Sequence, residues 1–423
     1  MKYLKKNLEI HSLKFLSVIF IQILFPPLML LFWGKNNFNL WLFLFAVPSV
    51  FSFFQISITA PIRNEMYRLF KKKKINDLKI IYQHSFFLVL VNIFLIALIG
   101  FLYFFINDDE IYKNNLDLIL IVFLILFLNL FNSNAYSILT HQGSYTTYLK
   151  IEIFFSIFSS LIIPFSYYIT SNFTDVFYIR LFLELIKTLV LFKSNKSNIK
   201  INFLLNFKII KFKYIKKILI LSLGYSFDVL SNIIKGPGII FLVGLTNLNL
   251  VGLVSTTRTM FYYLPIRFLS ILIESFYLEF NNILNDKKLK KNFFKIFKKL
   301  ILFLFTVFII HICVSLFLGK VLYEFWINNK FQFNSNLVFL IVLDSIITLL
   351  GIFLMLPFKS IHKNNKVAFI ELLINLILFI IFLTYGANYE IELIFKLLLT
   401  SSLIILLIKI FYAIKLYKIF ILD

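Results

Sequence analysis

Arg258, Arg267 and Glu274 stand in the stretch VSTTRTMFYYLPIRFLSILIES, residues 254–275, which is otherwise apolar, aromatic or hydroxylated. A guanidinium is a planar fork of donors that matches two oxygens of a phosphate, so the chemistry these residues offer is anion binding. Seven residues separate Arg267 from Glu274, which puts them on one helical face. Arg258 comes nine residues before Arg267 and falls nearly opposite on an ideal helix, but Pro265 lies between them and can kink or rotate the segment.

A second constellation precedes it in LSLGYSFDVLSNIIKGPG. Tyr225, Asp228, Asn232 and Lys235 follow i, i+3, i+7 and i+10, one helical stripe, and Gly236, Pro237 and Gly238 then break or bend the helix. Lys235 would join the arginines on an anion, with Tyr225, Asp228 and Asn232 binding the ligand or orienting the cations. The plainer reading is that Asp228 pairs with Lys235 or an arginine and fastens helices together. Arg180, Glu184 and Lys187 are spaced to pair among themselves, so Arg180 is either a site residue or part of a structural trio. Pro48, Ser52, Gln55 and Thr59 form a neutral stripe ending at Arg63, and Asn129, Ser133, Tyr136 and Thr140 form another. Such stripes suit a hydroxyl-rich ligand, although Ser, Thr and Asn also join membrane helices by ordinary hydrogen bonds. Glu152, Asp344 and Glu371 are either partners for these cations or, with Asp228 and Glu274, candidates for proton coupling.

Other chemistries find little support. No GxxxxGK[ST] motif for ATP and no HExxH motif is present, and His11, His84, His141, His311 and His362 lack metal-ligand spacing. Asp108, Asp109 and Glu110 read as a solvated turn rather than the carboxylates of a metal-dependent transferase. The single cysteine, Cys313, excludes an internal disulfide and a CxxC site. The expectation is a protein that is not an enzyme.

The elements that must position these residues are membrane helices. Sixty per cent of the residues are hydrophobic and the mean hydropathy is +0.90. Apolar runs of about 20 residues, each long enough for a bilayer core of about 30 Å, recur along the chain. Twelve spans are read at 12–33, 39–60, 85–106, 116–138, 151–170, 174–193, 218–245, 249–280, 300–319, 334–357, 367–386 and 391–412. The first run is too long for a cleaved signal and lacks a small-residue cleavage site. With the N-terminus inside, the outer loops hold only Lys35, Lys113, Lys320 and Lys330, while the inner connections hold most of the 43 Lys and Arg. The net charge of +23 therefore follows the positive-inside rule and orients the protein in the cytoplasmic membrane, with both termini cytoplasmic. It calls for anionic lipid heads and for no nucleic acid.

The longest connections, residues 63–84, 193–217 and 281–299, are basic and leave no room for a soluble domain. The chain divides into a six-helix bundle over 1–193, a basic cytoplasmic linker over 194–217, and a second six-helix bundle over 218–423 with a short tail. A faint echo at an offset of 210 places Pro27, Asn37, Asn39 and Leu40 opposite Pro237, Asn247, Asn249 and Leu250, as parallel repeats would.

The span at 249–280 needs more than lipid around it. Two central arginines cost about 5–7 kcal/mol on an insertion scale, and the ten Leu, Ile, Val and Phe between Leu253 and Ile273 return about 3–6 kcal/mol. The span breaks even at best, so the helix is expected to line an interior.

Twelve spans in two halves, with Gly224, Val251, Gly252, Ser255, Arg258 and Pro265 in this order, resemble the polysaccharide repeat-unit flippases. These are the O-antigen and capsule transporters of the multidrug/oligosaccharidyl-lipid/polysaccharide exporter superfamily. The local match runs over about residues 221–281, the match in topology over the whole chain. The resemblance implies an all-α, V-shaped pair of six-helix bundles working by alternating access. Its cargo would be an oligosaccharide on undecaprenyl pyrophosphate, with the polysaccharide polymerase and chain-length machinery as further partners. A monomer is the plainest expectation, since nothing in the sequence reads as an oligomer contact. Arg258, Arg267 and Lys235 would hold the pyrophosphate. No cofactor is expected, and Na+, H+ and the membrane potential stay open as the drive. The alternatives are a cation-coupled multidrug exporter of the same superfamily, which would prefer acidic cavity residues, and a membrane glycosyltransferase or polymerase.

Overall fold

The computed structural model describes residues 2–52, 58, 62, 65, 66, 69, 74–106, 110–139, 145–194, 210–269, 293–360, 365–385 and 390–418. Among the described residues every regular element is helical. In hydrocarbon a backbone must satisfy its own polar groups, and a helix does so within one segment.

The helices are α1 (Lys2–Phe51), α2 (Ile75–Ile106), α3 (Glu110–Asn114), α4 (Leu116–Leu139), α5 (Tyr145–Thr170) and α6 (Phe173–Ser194). After these come α7 (Phe212–Ile233), a wide π turn at Ile234–Gly238, and α8 (Ile239–Thr246). Helix α9 (Val251–Arg258) runs into a π turn at Thr259–Tyr263 and stays helical to residue 269. The rest are α10 (Phe293–Cys313), a π turn at Val314–Leu318, α11 (Gly319–Trp326), α12 (Ser335–Ser360), α13 (Asn365–Tyr385) and α14 (Ile391–Tyr417). Nine stretches of the described residues are long and apolar enough to cross a membrane. The chain is a multi-pass membrane protein.

The spans expected at 12–33 and 39–60 share one of those stretches, Leu16–Phe51, because α1 runs from one into the other. The break between them is a single residue. Gly34 has φ 74° and ψ 177°, a conformation open to glycine and strained for residues with a Cβ. A loop was expected here, and one glycine does its work. The span expected at 174–193 corresponds to α6, whose Arg180, Glu184 and Lys187 keep it off the apolar tally.

The chain forms two compact units. The first comprises residues 1–21 and 31–241, the second residues 22–30 and 242–423. Their boundary lies inside the seventh span, after Phe241, whereas the sequence suggests a division in the basic 194–217 linker.

In the first unit an aromatic cluster holds the start of α6 to the neighbouring helices. Trp33 Nε1 donates to the Pro164 carbonyl at 3.0 Å, and its ring meets Trp41, Tyr167 and Phe173. Asn37 Nδ2 donates to the Tyr167 hydroxyl at 3.2 Å. Asn39, which the offset of 210 sets opposite Asn249, is buried within α1, while Asn249 is exposed in a short 3-10 turn.

At the other end of the unit, His84 ties α2 to the beginning of α7. Its ring is fully buried; Nδ1 faces the Ile80 carbonyl at 2.6 Å, and Nε2 accepts the Lys211 backbone N–H at 2.8 Å. These partners require Nδ1 to carry the proton and Nε2 to be the acceptor. His84→Leu strands the N–H that begins α7 and is expected to cost about 1–3 kcal/mol. Thermal unfolding of the detergent-solubilised variant tests this, and an unchanged transition would remove His84 from the fold's fastenings.

In the second unit α10, α12 and the segment after the π turn at Thr259–Tyr263 share an apolar core of Leu269, Phe293, Leu300, Leu304, Phe308, Leu349, Phe353 and Leu356. Trp326, at the end of α11, donates from Nε1 to the Ile23 carbonyl at 2.5 Å, which fixes the stretch 22–30 in this unit.

Candidate functional site

The deep charges of each unit have their own surroundings. In the second unit Arg258 is 2 % exposed and ends α9. Its guanidinium carbon lies 5.2 Å from the ring centroids of both Tyr262 and Tyr263, a cation held against two π faces. Burial of this kind answers the insertion cost of the arginine: protein, not lipid, surrounds it.

The local backbone explains how the two tyrosines reach the arginine. Pro265 has no N–H for the Phe261 carbonyl four residues earlier, so the helix cannot continue in α register there. The π turn at Thr259–Tyr263 absorbs the mismatch, with the Leu264 N–H bonding the Thr259 carbonyl. His311 on α10 bonds the Phe261 carbonyl. His311 Nε2 also meets Ser345 Oγ of α12 at 3.2 Å. The Thr256 and Tyr323 hydroxyls bond at 2.8 Å, and Thr257 donates to the same phenol oxygen at 3.4 Å. Tyr262 donates to Thr348 Oγ1 at 3.4 Å. Thus α10 and α12 hold the turn that follows Arg258, and α11 holds the two residues before it.

Arg267 stands differently. It is exposed, about 13 Å further along the helix at 1.5 Å per residue. The sequence sets both arginines on the pyrophosphate of the cargo, and the structure gives them different surroundings. Arg258 is enclosed and Arg267 is presented, in keeping with their nearly opposite places on a helix and the rise between them. Glu274, expected on the face of Arg267, lies outside the described residues, as do Gln55 and Arg63.

Two carboxylates of the second unit, Glu371 and Asp344, are already engaged. Glu371 of α13 meets Lys409 of α14, Oε2 to Nζ, at 2.7 Å, with the two side chains 18 % and 10 % exposed. Asp344 of α12 is buried and accepts from Ser402 Oγ of α14 at 2.5 Å. The sequence places Glu371 and Asp344 as partners or coupling groups, and neither Lys409 nor Ser402 is among the residues it singles out. A lysine inside the apolar run LIILLIKIFY was the signal for Lys409, by the same insertion cost that marks Arg258.

In the first unit Lys235 is 8 % exposed and lies within the π turn at Ile234–Gly238. The stripe of Tyr225, Asp228, Asn232 and Lys235 does not keep one environment. Tyr225 and Asp228 are half-buried, Asn232 is exposed and Lys235 is buried. Asp228, Tyr225 and Lys235 all have interaction partners, and so does Glu152 on α5.

Arg180 and Lys187 both reach Glu184, each at 3.4 Å, and the carboxylate side chain is 5 % exposed. With Ser156 and Ser159 they border a cavity of about 20 Å³. That is room for about one water and no sugar, so the pairing reading of this trio is the one its geometry matches. Among the described residues no group of His, Cys, Asp and Glu is arranged to hold a metal ion.

No protein-family model and no curated protein sequence matches the chain. Solved structures do. A multidrug-resistance MATE-family transporter of the MOP superfamily superposes with TM-score 0.73 at 12 % identity, over 96 % of this chain and 95 % of that one. The fold is that of the MOP-superfamily transporters. The lipid II flippase MurJ superposes with TM-score 0.67 at 17 % identity, over 95 % of this chain and 86 % of that one. A MOP-superfamily transporter from Pyrococcus furiosus, described as having a binding pocket of reversed polarity, gives 0.58 at 12 % identity over 95 % and 94 %. Identities this low carry the fold and leave the cargo to be argued from this chain's own residues.

Proposed function

We propose that the protein is a flippase for oligosaccharide repeat units carried on undecaprenyl pyrophosphate, serving surface polysaccharide synthesis of the O-antigen or capsule kind. The observation that supports this is the charge state of its deep helices. A pocket for cationic drugs needs a carboxylate that can turn to the drug, yet Glu371, Asp344 and Glu184 already hold Lys409, Ser402, and Arg180 with Lys187. Two of the most deeply buried charges are cations, Arg258 and Lys235, each with interaction partners of its own, and Arg267 is exposed. A pyrophosphate suits that balance. In this reading Arg267 meets the cargo in the conformation described, and Arg258 fixes the helix that carries it. The MurJ neighbour is a flippase of a lipid-linked cargo on the same fold, and the Pyrococcus neighbour's description ties pocket polarity to a change of function.

The test is deletion of the gene followed by mass analysis of the lipid-linked glycans with labelling specific to each leaflet. Completed repeat units trapped on the cytoplasmic face, with the surface glycan missing, is the expected result. Normal surface glycan with lost drug resistance would move the protein to multidrug export, the function of the MATE neighbour. Unfinished glycan chains would point to an enzyme.

A further inference from the structure

His84 and His311 are both held by hydrogen bonds, and the two settings differ in kind. One nitrogen of His84 faces the Lys211 N–H, which can only donate, so that nitrogen has to accept. The polar atoms that meet the His311 ring are all oxygens. Nε2 lies 3.2 Å from Ser345 Oγ, Nδ1 lies 3.5 Å from Ser315 Oγ, and the ring bonds the Phe261 carbonyl. The carbonyl can only accept. Ser345 gives its own hydrogen to the Val342 carbonyl at 2.8 Å, so toward His311 it too offers a lone pair. A neutral imidazole has one N–H for these acceptors, and a protonated one has an N–H on each side.

We propose that His311 is a proton-sensitive positioning residue for the helix that carries Arg258 and Arg267. Phe261 stands in the π turn at Thr259–Tyr263, three residues after Arg258 and six before Arg267, and its carbonyl is the one that Pro265 cannot serve. With two N–H groups the ring has a donor on each nitrogen and leaves Ser345 on the Val342 carbonyl. With one, it shares or forfeits a bond, or draws the serine hydrogen away from Val342, and the turn is held less firmly. A proton taken up from water therefore tightens the seat of both arginines, and its release loosens that seat. The titratable groups on the elements packed around the ring are Arg258, Tyr262 and Tyr263 on the α9 segment, Asp344 on α12 and Tyr323 on α11. Arg258 lies against the two α9 tyrosines, Asp344 accepts from Ser402, Tyr323 bonds Thr256, and none of the five bonds the His311 ring. The effect on transport rests on the anion-site reading above, while the titration and the grip on the turn do not.

The experiment starts with nuclear magnetic resonance of the full-length protein in detergent, labelled with nitrogen-15 in its five histidines. His311→Gln removes one set of ring signals and so assigns them. From about pH 8 to pH 5, the range in which histidines commonly change charge, the His311 ring is expected to pass from one N–H to two. Backbone hydrogen exchange over residues 259–268, corrected for the intrinsic rate, should be about fivefold slower at the acid end in the wild type, the effect of one hydrogen bond. His311→Gln, which keeps a donor but gains no proton there, should exchange alike at both ends. The wild-type comparison stands without the variant, and His311→Asn serves as a second one. A ring that keeps a single N–H throughout would overturn the proposal, and so would a titrating ring with exchange over 259–268 unchanged. Transport of the lipid-linked glycan should likewise fall about fivefold toward alkaline pH in the wild type and stay level in His311→Gln. Titration and tightening in a protein that carries no such glycan would uphold the role of His311 and defeat the cargo reading alone.

Discussion

Lys409→Met is expected to destabilise the protein by about 3–5 kcal/mol, the effect of leaving one member of a buried ion pair without its partner. Glu371 lies 2.7 Å from the lysine and is mostly buried between α13 and α14. Its charge would then face apolar neighbours, or it would have to take up a proton. Glu371→Met alone strands Lys409 and should cost a similar amount. The double variant, Lys409→Met with Glu371→Met, removes both charges, and similar pairs elsewhere are replaced by apolar residues at little cost. It should unfold near the wild-type temperature in detergent. Single variants as stable as the wild type would mean that the pair is solvated and fastens nothing. The double variant also separates two roles for Glu371, because a stable protein that no longer transports assigns it to coupling. One that still transports assigns it to holding α13 on α14.

Arg267→Ala should cut transport by about tenfold or more with an unchanged unfolding transition. A charge-assisted hydrogen bond to a phosphate is worth about 1.5–3 kcal/mol, and Arg267 is exposed rather than part of the core. Arg258→Ala should also abolish transport, but by another route. It empties the space between Tyr262 and Tyr263 and frees the π turn on which Arg267 depends. Both variants should still insert, since each removes an insertion cost of about 2.5–3.5 kcal/mol. Arg258→Lys should recover only part of the activity, because a lysine restores the charge without the flat guanidinium that lies against both rings. Wild-type transport of the lipid-linked glycan by both alanine variants would defeat the anion-binding role. Asp228→Asn bears on the drive: altered transport across pH is expected if it couples, and an unchanged profile would take it out of the mechanism.

Much of this protein is decided by the sequence itself. An apolar run of about 20 residues can bury its backbone polar groups in lipid only as a helix, so the all-helical, multi-pass architecture follows from composition and run length. The cost of an arginine in hydrocarbon likewise marked Arg258 as interior before any neighbour was known, and it is 2 % exposed. The mutual spacing of Arg180, Glu184 and Lys187 announced a local trio, because i, i+4 and i+3 neighbours on one helix need no other element to meet.

What the tertiary structure decided lies between helices or in the rotation of one. The Glu371–Lys409 pair joins residues 38 positions apart on two spans, and the Asp344–Ser402 bond joins residues 58 apart. No spacing along the chain encodes such meetings, because they depend on which faces of α12, α13 and α14 pack together. The stripe through Asp228 and Lys235 assumed a steady 100° per residue, a period that itself sets Arg258 and Arg267 nearly opposite. The π turns at Ile234–Gly238 and Thr259–Tyr263 interrupt that period, and among these residues Asn232 and Arg267 are exposed while Lys235 and Arg258 are buried. Pro237 and Pro265 told where the helices would fail to be regular. Only the neighbours, His311 at the Phe261 carbonyl and Thr348 at Tyr262, determined which irregular turn would be held.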